Sequence, residues 1–597
     1  MNLKCRTFDM WRVIFMNNKT DIKKILAVAT AGLMIFTAGC SNGEKPDIIG
    51  MVKDFVMGND KEDDGSGYLF RCSIEGNPEN LDPQLAQDKS SLTVIANMFS
   101  GLMRYNEQGQ LEKACAKDYT ISDDKLTYTF TLRDDCYWYL PDGTSEKVTA
   151  DDFVFAFQRI FNPQTHSPYT DTFDCIKNAR FITAGKADYT ELGVHAEGDN
   201  KVVFELQQPC SVFLNLLTET SAVPCNKKFF ESTKARYGLE EGTVISNGDF
   251  YIKQWFYDEY GKDNFIIMRR NPKNAETEKI YPSSINLFIE KPETSITEKF
   301  KDDGIDCFYA NYAEKKELMK KECNVKEYEA ETLGIIFNQQ DEIFSNENIR
   351  KALALSVERS GYADELSEDL TVAYGIVPPY FRLGNDSYRN LVPETEISHC
   401  DKTQAQVCWN EGKEETGLIS LENVRVLVSE EMMDTAYLAY VTQQWQETLN
   451  CYLGIETVSQ DEYESRIKSG NYIIAVGTTE GTFNHPYSLL KELNSRNEDG
   501  YVREKLSGAL SFSDNDSAAV YADIERRIVE TGNFIPLFYR RKYMITNKNS
   551  SDIVLNPFTE QMIFRYAKYL DLNFFRGATR QRRVAPRIFR FGYSKAT

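Results

Sequence analysis

Four histidines stand in this 597-residue chain, His166, His195, His399 and His485, and no two have the spacing of a metal-binding pair. The nearest thing to a metal cluster is His399-Cys400 with Cys408, which reads as a surface turn or a disulfide. A GxSxG nucleophile elbow, an HExxH helix and a GxxxxGK[S/T] phosphate loop do not occur. Carboxylate pairs such as Asp151-Asp152 are abundant, and they read as helix caps and solvated surface. No catalytic constellation emerges, so the sequence predicts neither an enzyme nor a resident metal or cofactor.

The thirteen cysteines are scattered singly, without a CxxC pair. One is set apart by what precedes it. Lys19, Lys23 and Lys24 lead into an apolar run, Ile25 to Phe36, of about a dozen residues, too short to span a bilayer comfortably. Thr37-Ala38-Gly39-Cys40 follows. Small residues immediately before a cysteine mark the signal of a bacterial lipoprotein. Residues 1–39 are thus expected to be a signal peptide, and Cys40 a lipidated anchor on the extracytoplasmic face of the cell membrane. Thr37 departs from the usual Leu, and Met16 is well placed as the true start. Residues 40–67 carry GNDKEDDGSG, whose charge and glycine content predict a flexible tether. Eleven cysteines remain beyond Cys40. Exported proteins use cysteines for disulfides. The expectation is at most a few bridges, with Cys210–Cys225 favoured by closeness.

The length predicts more than one domain, since single cores rarely grow beyond roughly 250–300 residues. At 42% apolar and 12% aromatic residues there is material for large cores. A formal net charge of -21 argues against a nucleic-acid partner, which needs clustered Lys and Arg. The acidity reads as a solvated surface, with attraction of cationic ligands as its functional counterpart. Residues 573–597 hold six Arg and one Lys and no acid. This tail is expected to be disordered or loosely packed, with packing on the acidic body or anionic lipid headgroups as alternatives. No other run reaches about 18 apolar residues, so nothing else reads as transmembrane.

Helical and strand patterns alternate along the body. Ser91 to Tyr105 places Leu92, Ile95, Met98, Phe99, Leu102 and Met103 on one helical face. Leu126–Arg133 alternates as a half-buried strand after the turn Ser122–Lys125. Thr149-Ala-Asp-Asp152 reads as a capping box opening a helix through Phe161, which Asn162-Pro163 ends. Lys201–Leu206 reads as a strand. Ser345 is placed to cap a helix carrying Ile349, Ala352 and Leu353. Residues 515–531 read as a helix and Ile535–Phe538 as a strand. The mixture predicts an α/β fold.

Residues 80–163, from ENLDPQLAQDKSS to FQRIFNP, resemble the solute-binding proteins of peptide-type ABC importers, family 5. The order of later segments extends the likeness: ISNGDFYIKQW with Asn247-Gly248, LGIIFNQQ with Phe337-Asn338, NENIRKALALSVER, TVAYGIVPPYF and ERRIVETGNFIPLFY. The resemblance implies a two-lobed, periplasmic-binding-protein-like fold with a large discontinuous first lobe and two crossover strands. The first lobe would be 68–330 plus 535–572, with an extra subdomain at about 98–215, and the second 331–534. Hinges would lie near Gly334–Asn338 and Asn533–Pro536. The implied function is capture of oligopeptides in the cleft and delivery to permease subunits with their ATPases, by a monomer.

The resemblance also points to ligand residues. The segment after Leu81-Asp82-Pro83 faces ligand in relatives; here it is Gln87, Asp88 and Lys89. Peptide-binding relatives carry Trp-x-Ala-Asp-Tyr-x-x-Pro in the second lobe, its Asp anchoring the peptide amine. At the matching place this chain reads Thr479-Glu480-Gly481-Thr482-Phe483-Asn484-His485-Pro486. Thr482 replaces the Asp; Glu480, two residues earlier on an extended segment, shares its face and reads either as a substitute anchor or as plain loop surface, the ligand then having no free amine to hold. Thr482, Phe483 and His485 fall in the expected ligand loop. Tyr374, Tyr380, Trp138 and Tyr139 are aromatics that can line a cleft or pack a core. A peptide-sensing receptor, or a carrier of a metal complex, haem-like compound or sugar, is the alternative on the same fold.

Overall fold

The computed structural model describes residues 68–569, apart from 262–263, 292–294, 364–365, 385, 422, 434 and 497–498. The signal segment, Cys40, the tether and the basic tail lie outside the described residues. Eleven strands form the main sheet: β1 (Tyr68–Ile74), β2 (Phe250–Phe256), β3 (Phe265–Arg270), β4 (Pro282–Ile289), β5 (Cys307–Ala310), β6 (Cys323–Phe337), β7 (Leu370–Val372), β8 (Arg425–Ser429), β9 (Gly454–Val458), β10 (Ile474–Thr479) and β11 (Ile535–Asn547). Their spatial order is β2-β3-β4-β1-β5-β11-β6-β10-β8-β9, with β7 also on β11. The helices that matter below are α1 (Lys89–Met98), α2 (Ala150–Phe161), α3 (Glu347–Leu355), α4 (Pro486–Arg496), α5 (Gly500–Ala509) and α6 (Asp514–Glu530). The α/β class is as the sequence predicts.

Two long strands join the halves of this sheet. β6 and β11 run antiparallel from Cys323 opposite Asn547 to Ile335 opposite Ile535. At one end β11 pairs with β5, beside the parallel strands β1 and β4. At the other end β6 pairs with β10, beside the parallel strands β8 and β9. The register of the pair shifts between Glu329 and Glu331 and again between Leu333 and Gly334. A Cβ on Gly334 would sit 2.5 Å from both the Ile535 carbonyl and the Phe534 ring, so only glycine lets the strands cross so closely.

β11 is far longer than the Ile535–Phe538 expected. Arg540, Arg541 and Lys542 interrupt its apolar run, yet each finds acidic partners across the sheet. Arg540 pairs with Glu331, Arg541 lies 3.5 Å from Glu329, and Lys542 pairs with Glu480 and Glu560.

A smaller four-stranded sheet (Ala116–Ile121, Thr127–Leu132, Lys201–Glu205, Val194–Ala196) lies beside α2. Phe157 of α2 meets Phe173 and Phe204 with ring centroids 5.0 Å apart in each case. The capping box forms: the Thr149 N–H donates to the Asp152 carboxylate at 2.9 Å. The Trp138 indole donates to the same oxygen at 3.0 Å. Trp138 is therefore a core residue, wholly buried, and Tyr139 packs on Tyr251 with ring centroids 4.4 Å apart.

α1 stops at Met98, short of the Tyr105 expected. The Asn247 side chain takes over the backbone beyond it, accepting from the Ser100 N–H at 3.0 Å and donating to the Ser100 carbonyl at 2.9 Å. Gly248 then fits against the helix end; a Cβ there would lie 2.6 Å from the Met98 carbonyl. Met103–Tyr105 becomes a strand instead. The Leu81-Asp82-Pro83 motif is structural: buried Asp82 pairs with Arg159 of α2, whose guanidinium also donates to Gln84 and lies 4.1 Å over the Phe230 ring.

Two smaller expectations shift. α3 is capped by Asn346, not Ser345, through the Ile349 N–H at 3.0 Å. All eleven described cysteines are free thiols. Cys225 lies 3.5 Å from the Arg159 guanidinium, and Cys210 meets Cys175 instead. Among the described residues no helix is long and apolar enough to cross a membrane.

Candidate functional site

A cavity of about 350 Å³ opens between segments distant in sequence. One wall comes from the chain after α1, including Phe99, Arg104 and Tyr105, and from Thr218-Glu219-Thr220. Lys326 and Tyr328 of β6 and Tyr380 form another. The loop Thr482-Phe483-Asn484 between β10 and α4 closes a third, and residues after β11, including Phe558 and Tyr566, complete it. The volume is in the range of ordinary small-molecule sites, and the lining mixes aromatic rings with polar and charged side chains.

The β10–α4 loop is held from both sides. The Asn484 side-chain oxygen accepts from the Arg382 N–H at 2.9 Å, and Ser488 of α4 donates to the Phe483 carbonyl at 2.8 Å. His485 accepts from the Tyr487 N–H at 3.1 Å, and its ring packs edge-on to Tyr521 at 5.4 Å. His485 is 4% exposed and braces the start of α4 behind the cavity wall. Thr482 is exposed, Phe483 is buried, and both line the cavity.

The other expected ligand residues are placed differently. Gln87 is exposed, and Asp88 caps α1 by accepting from the Ser91 N–H at 2.8 Å. Lys89 pairs with Glu560. Tyr374 is half-buried, with its N–H donated to Glu394 at 3.0 Å, and Tyr380 reaches the cavity where Tyr374 does not.

Glu480 belongs to a buried ionic chain. Lys542, whose side chain is only 5% exposed, donates to Glu480 at 3.0 Å, to Glu560 at 3.0 Å and to the Pro557 carbonyl at 3.2 Å. Lys89 continues the chain at Glu560, and Arg540 pairs with neighbouring Glu331. Burial and then the facing Glu331 carboxylate push Glu480 well above the usual carboxylate range. Burial also works against charge on Glu331, but Arg540 and Lys542 outweigh it and bring that group down to about 2. The two carboxylates are thus pushed in opposite directions, Glu331 down by its cations and Glu480 up by burial and its neighbour.

Sequence reasoning missed Glu219, Tyr105 and Lys326. Glu219 lies in Leu-Leu-Thr-Glu-Thr, which has no motif to single it out. Opposite edges of the cleft touch beyond the cavity. Lys491 of α4 donates to the Asp171 carbonyl at 2.8 Å, Gln208 to Ser507 of α5 at 3.0 Å, and the Ser211 N–H to the Leu510 carbonyl at 2.9 Å.

Comparison with known proteins follows this geometry. The family model described as bacterial extracellular solute-binding proteins, family 5, middle region, matches residues 110–501. The oligopeptide-binding protein OppA of Bacillus subtilis is 24% identical over 532 residues, covering 86% of this chain and 94% of its own. Listeria monocytogenes OppA bound to peptide aligns with a TM-score of 0.64 at 23% identity, over 84% of this chain and 99% of that one. Haemophilus influenzae OppA in complex with RPPGFSPFR aligns at 0.65 and 21% identity, over 84% and 99%. These likenesses show the two-lobed fold.

Proposed function

Because the chain belongs to the bacterial extracellular solute-binding proteins of family 5, we propose that it captures oligopeptides between its lobes and delivers them to an ABC permease. In this reading residues 68–330 with 535–572 make one lobe and residues 331–534 the other. The hinges lie in the crossing strands, near Gly334–Asn338 and Asn533–Pro536. Lipidated Cys40 holds the protein at the outer face of the cell membrane.

The observation that carries the reading is the cavity, walled on one side by the Thr482–Asn484 loop and on the other by the Ser100–Gly109 and Thr218–Thr220 segments. Aromatic walls whose arginines are paired with neighbouring acids suit a ligand held by its main chain, with side chains accommodated loosely. The contacts of Lys491, Gln208 and Ser211 across the cleft edge support a form that closes over cargo. Glu480 is not a free anchor in this arrangement. A ligand amine would compete with Lys542 for it, or would ionise it by adding a second cation.

Native mass spectrometry of freshly purified protein tests the proposal. A mixed population of bound peptides supports it. A single non-peptide species would overturn the ligand class, and a product formed from an added peptide would overturn the role as a carrier.

A further inference from the structure

Six charged side chains line the cavity: Arg104, Glu107, Glu219, Asp249, Lys326 and Arg565. Arg104 is paired with Glu112 and Glu276, and Arg565 with Asp249 and Glu276. Glu107 accepts from Gln108 at 2.8 Å. Lys326 has no acidic partner within salt-bridge distance, and its ammonium lies 5.2 Å from the Tyr328 ring centre. Glu219 is the exception among the acids. Among the described residues its carboxylate accepts no hydrogen bond and faces no cation, and its backbone alone is bonded, to Leu216 and Ala222.

Glu219 is half-buried at the cavity wall, and a carboxyl group partly withdrawn from water without a partner is costly. Here burial alone pushes Glu219 up to about 8. The groups that feel its charge are the Tyr105 and Tyr169 phenols, which burial holds far above neutral pH in their uncharged form. Tyr105 and Tyr380 share the cavity wall with it. Ring faces beside an unpaired carboxylate form a setting that favours a positive guest.

We propose that Glu219 is a ligand-reading residue: it receives a cationic group of the bound peptide, an ammonium or guanidinium, from the wall opposite the Thr482–Asn484 loop. The proposal rests on the peptide reading above and adds the position and sign of one contact. The cation comes from the peptide amino terminus or from a Lys or Arg side chain. Binding it ionises Glu219, so a proton leaves the carboxyl group for solvent as the ion pair forms.

The test uses Ala-Lys-Ala and Ala-norleucine-Ala, each with a free and an acetylated amino terminus, titrated calorimetrically into the whole protein. Removal of the recognised cation is expected to weaken binding by about 10–100-fold, the range for a charge-assisted bond in a desolvated site. Sensitivity to acetylation identifies the amino terminus as the source; sensitivity to norleucine identifies the side chain. Glu219→Gln should erase that difference and the proton release seen at pH 7 in buffers of unlike ionisation enthalpy, while Glu219→Asp should restore both in part. Since Glu219 makes no side-chain bond, the thermal midpoint of Glu219→Gln should match the wild type. Equal affinities of the wild type and Glu219→Gln for all four peptides would overturn the inference and leave the peptide reading intact. Failure of the wild type to bind any of the four would instead overturn the peptide reading and this inference with it.

Discussion

Lys542 is the position where one substitution interrogates the most structure. Its ammonium is buried and holds Glu480, Glu560 and the Pro557 carbonyl, with Glu331 close by. Lys542→Met keeps most of the stem volume and removes only the charge. Three charge-assisted hydrogen bonds are lost, the two to carboxylates at about 1.5–3 kcal/mol each. Glu480 is a third exposed, which reduces its share through solvent screening. The expected destabilisation is about 3–5 kcal/mol at pH 7.5, the usual cost of orphaning buried charge. The pH dependence separates charge from packing. Without Lys542 the folded-state pKa values of Glu331 and Glu560 rise, since both are now lowered in part by that cation. A carboxyl group whose folded pKa is depressed contributes stability that is present above its unfolded value and lost as pH falls toward the folded one. The deficit of Lys542→Met should therefore be full at pH 7.5 and shrink below the ordinary carboxylate range, toward about pH 3. Urea denaturation at both pH values, followed by tryptophan fluorescence, measures it. An identical deficit at both would refute the electrostatic argument and leave lost packing as the cause.

Other outcomes follow from the same geometry. Glu525 is fully buried and accepts from the Val377 N–H at 2.9 Å, from the Tyr388 hydroxyl at 3.1 Å and from Arg389. Glu525→Ala strands Arg389 and should lower the urea-unfolding free energy by about 3–5 kcal/mol. Gly248→Ala drives a Cβ to within 2.6 Å of the Met98 backbone. It should shift the thermal midpoint down by several degrees or leave the protein insoluble, whereas Gly242→Ala, with open space around it, should do neither. Cys40→Ala should move the protein from the membrane fraction to the soluble extracytoplasmic fraction, read by immunoblot after cell fractionation.

The sequence by itself determined what depends on local patterning. The Thr149–Asp152 cap, the alternating strand at Thr127–Leu132 and the long helix near residue 514 each declare themselves within a few residues, because capping and periodicity are local properties. The order of short motifs carried the family, and the turn Asn247-Gly248 keeps its motif because no other residue pair fits against α1. How charge is shared emerges only once the chain is folded. β11 did not read as one strand, because Arg540, Arg541 and Lys542 are acceptable inside a sheet only where distant carboxylates meet them. For the same reason Glu480, alone in its loop, read as either an anchor or plain surface, and its ion pair with Lys542 at 3.0 Å shows only in the fold. Glu219, in an unremarked segment, lines the cavity with no hydrogen-bond or cationic partner for its carboxyl group among the described residues. Pairing of charges is a long-range property: the free energy of a buried carboxylate is set by the groups the fold brings within a few ångströms, and nothing in its immediate sequence records which they are.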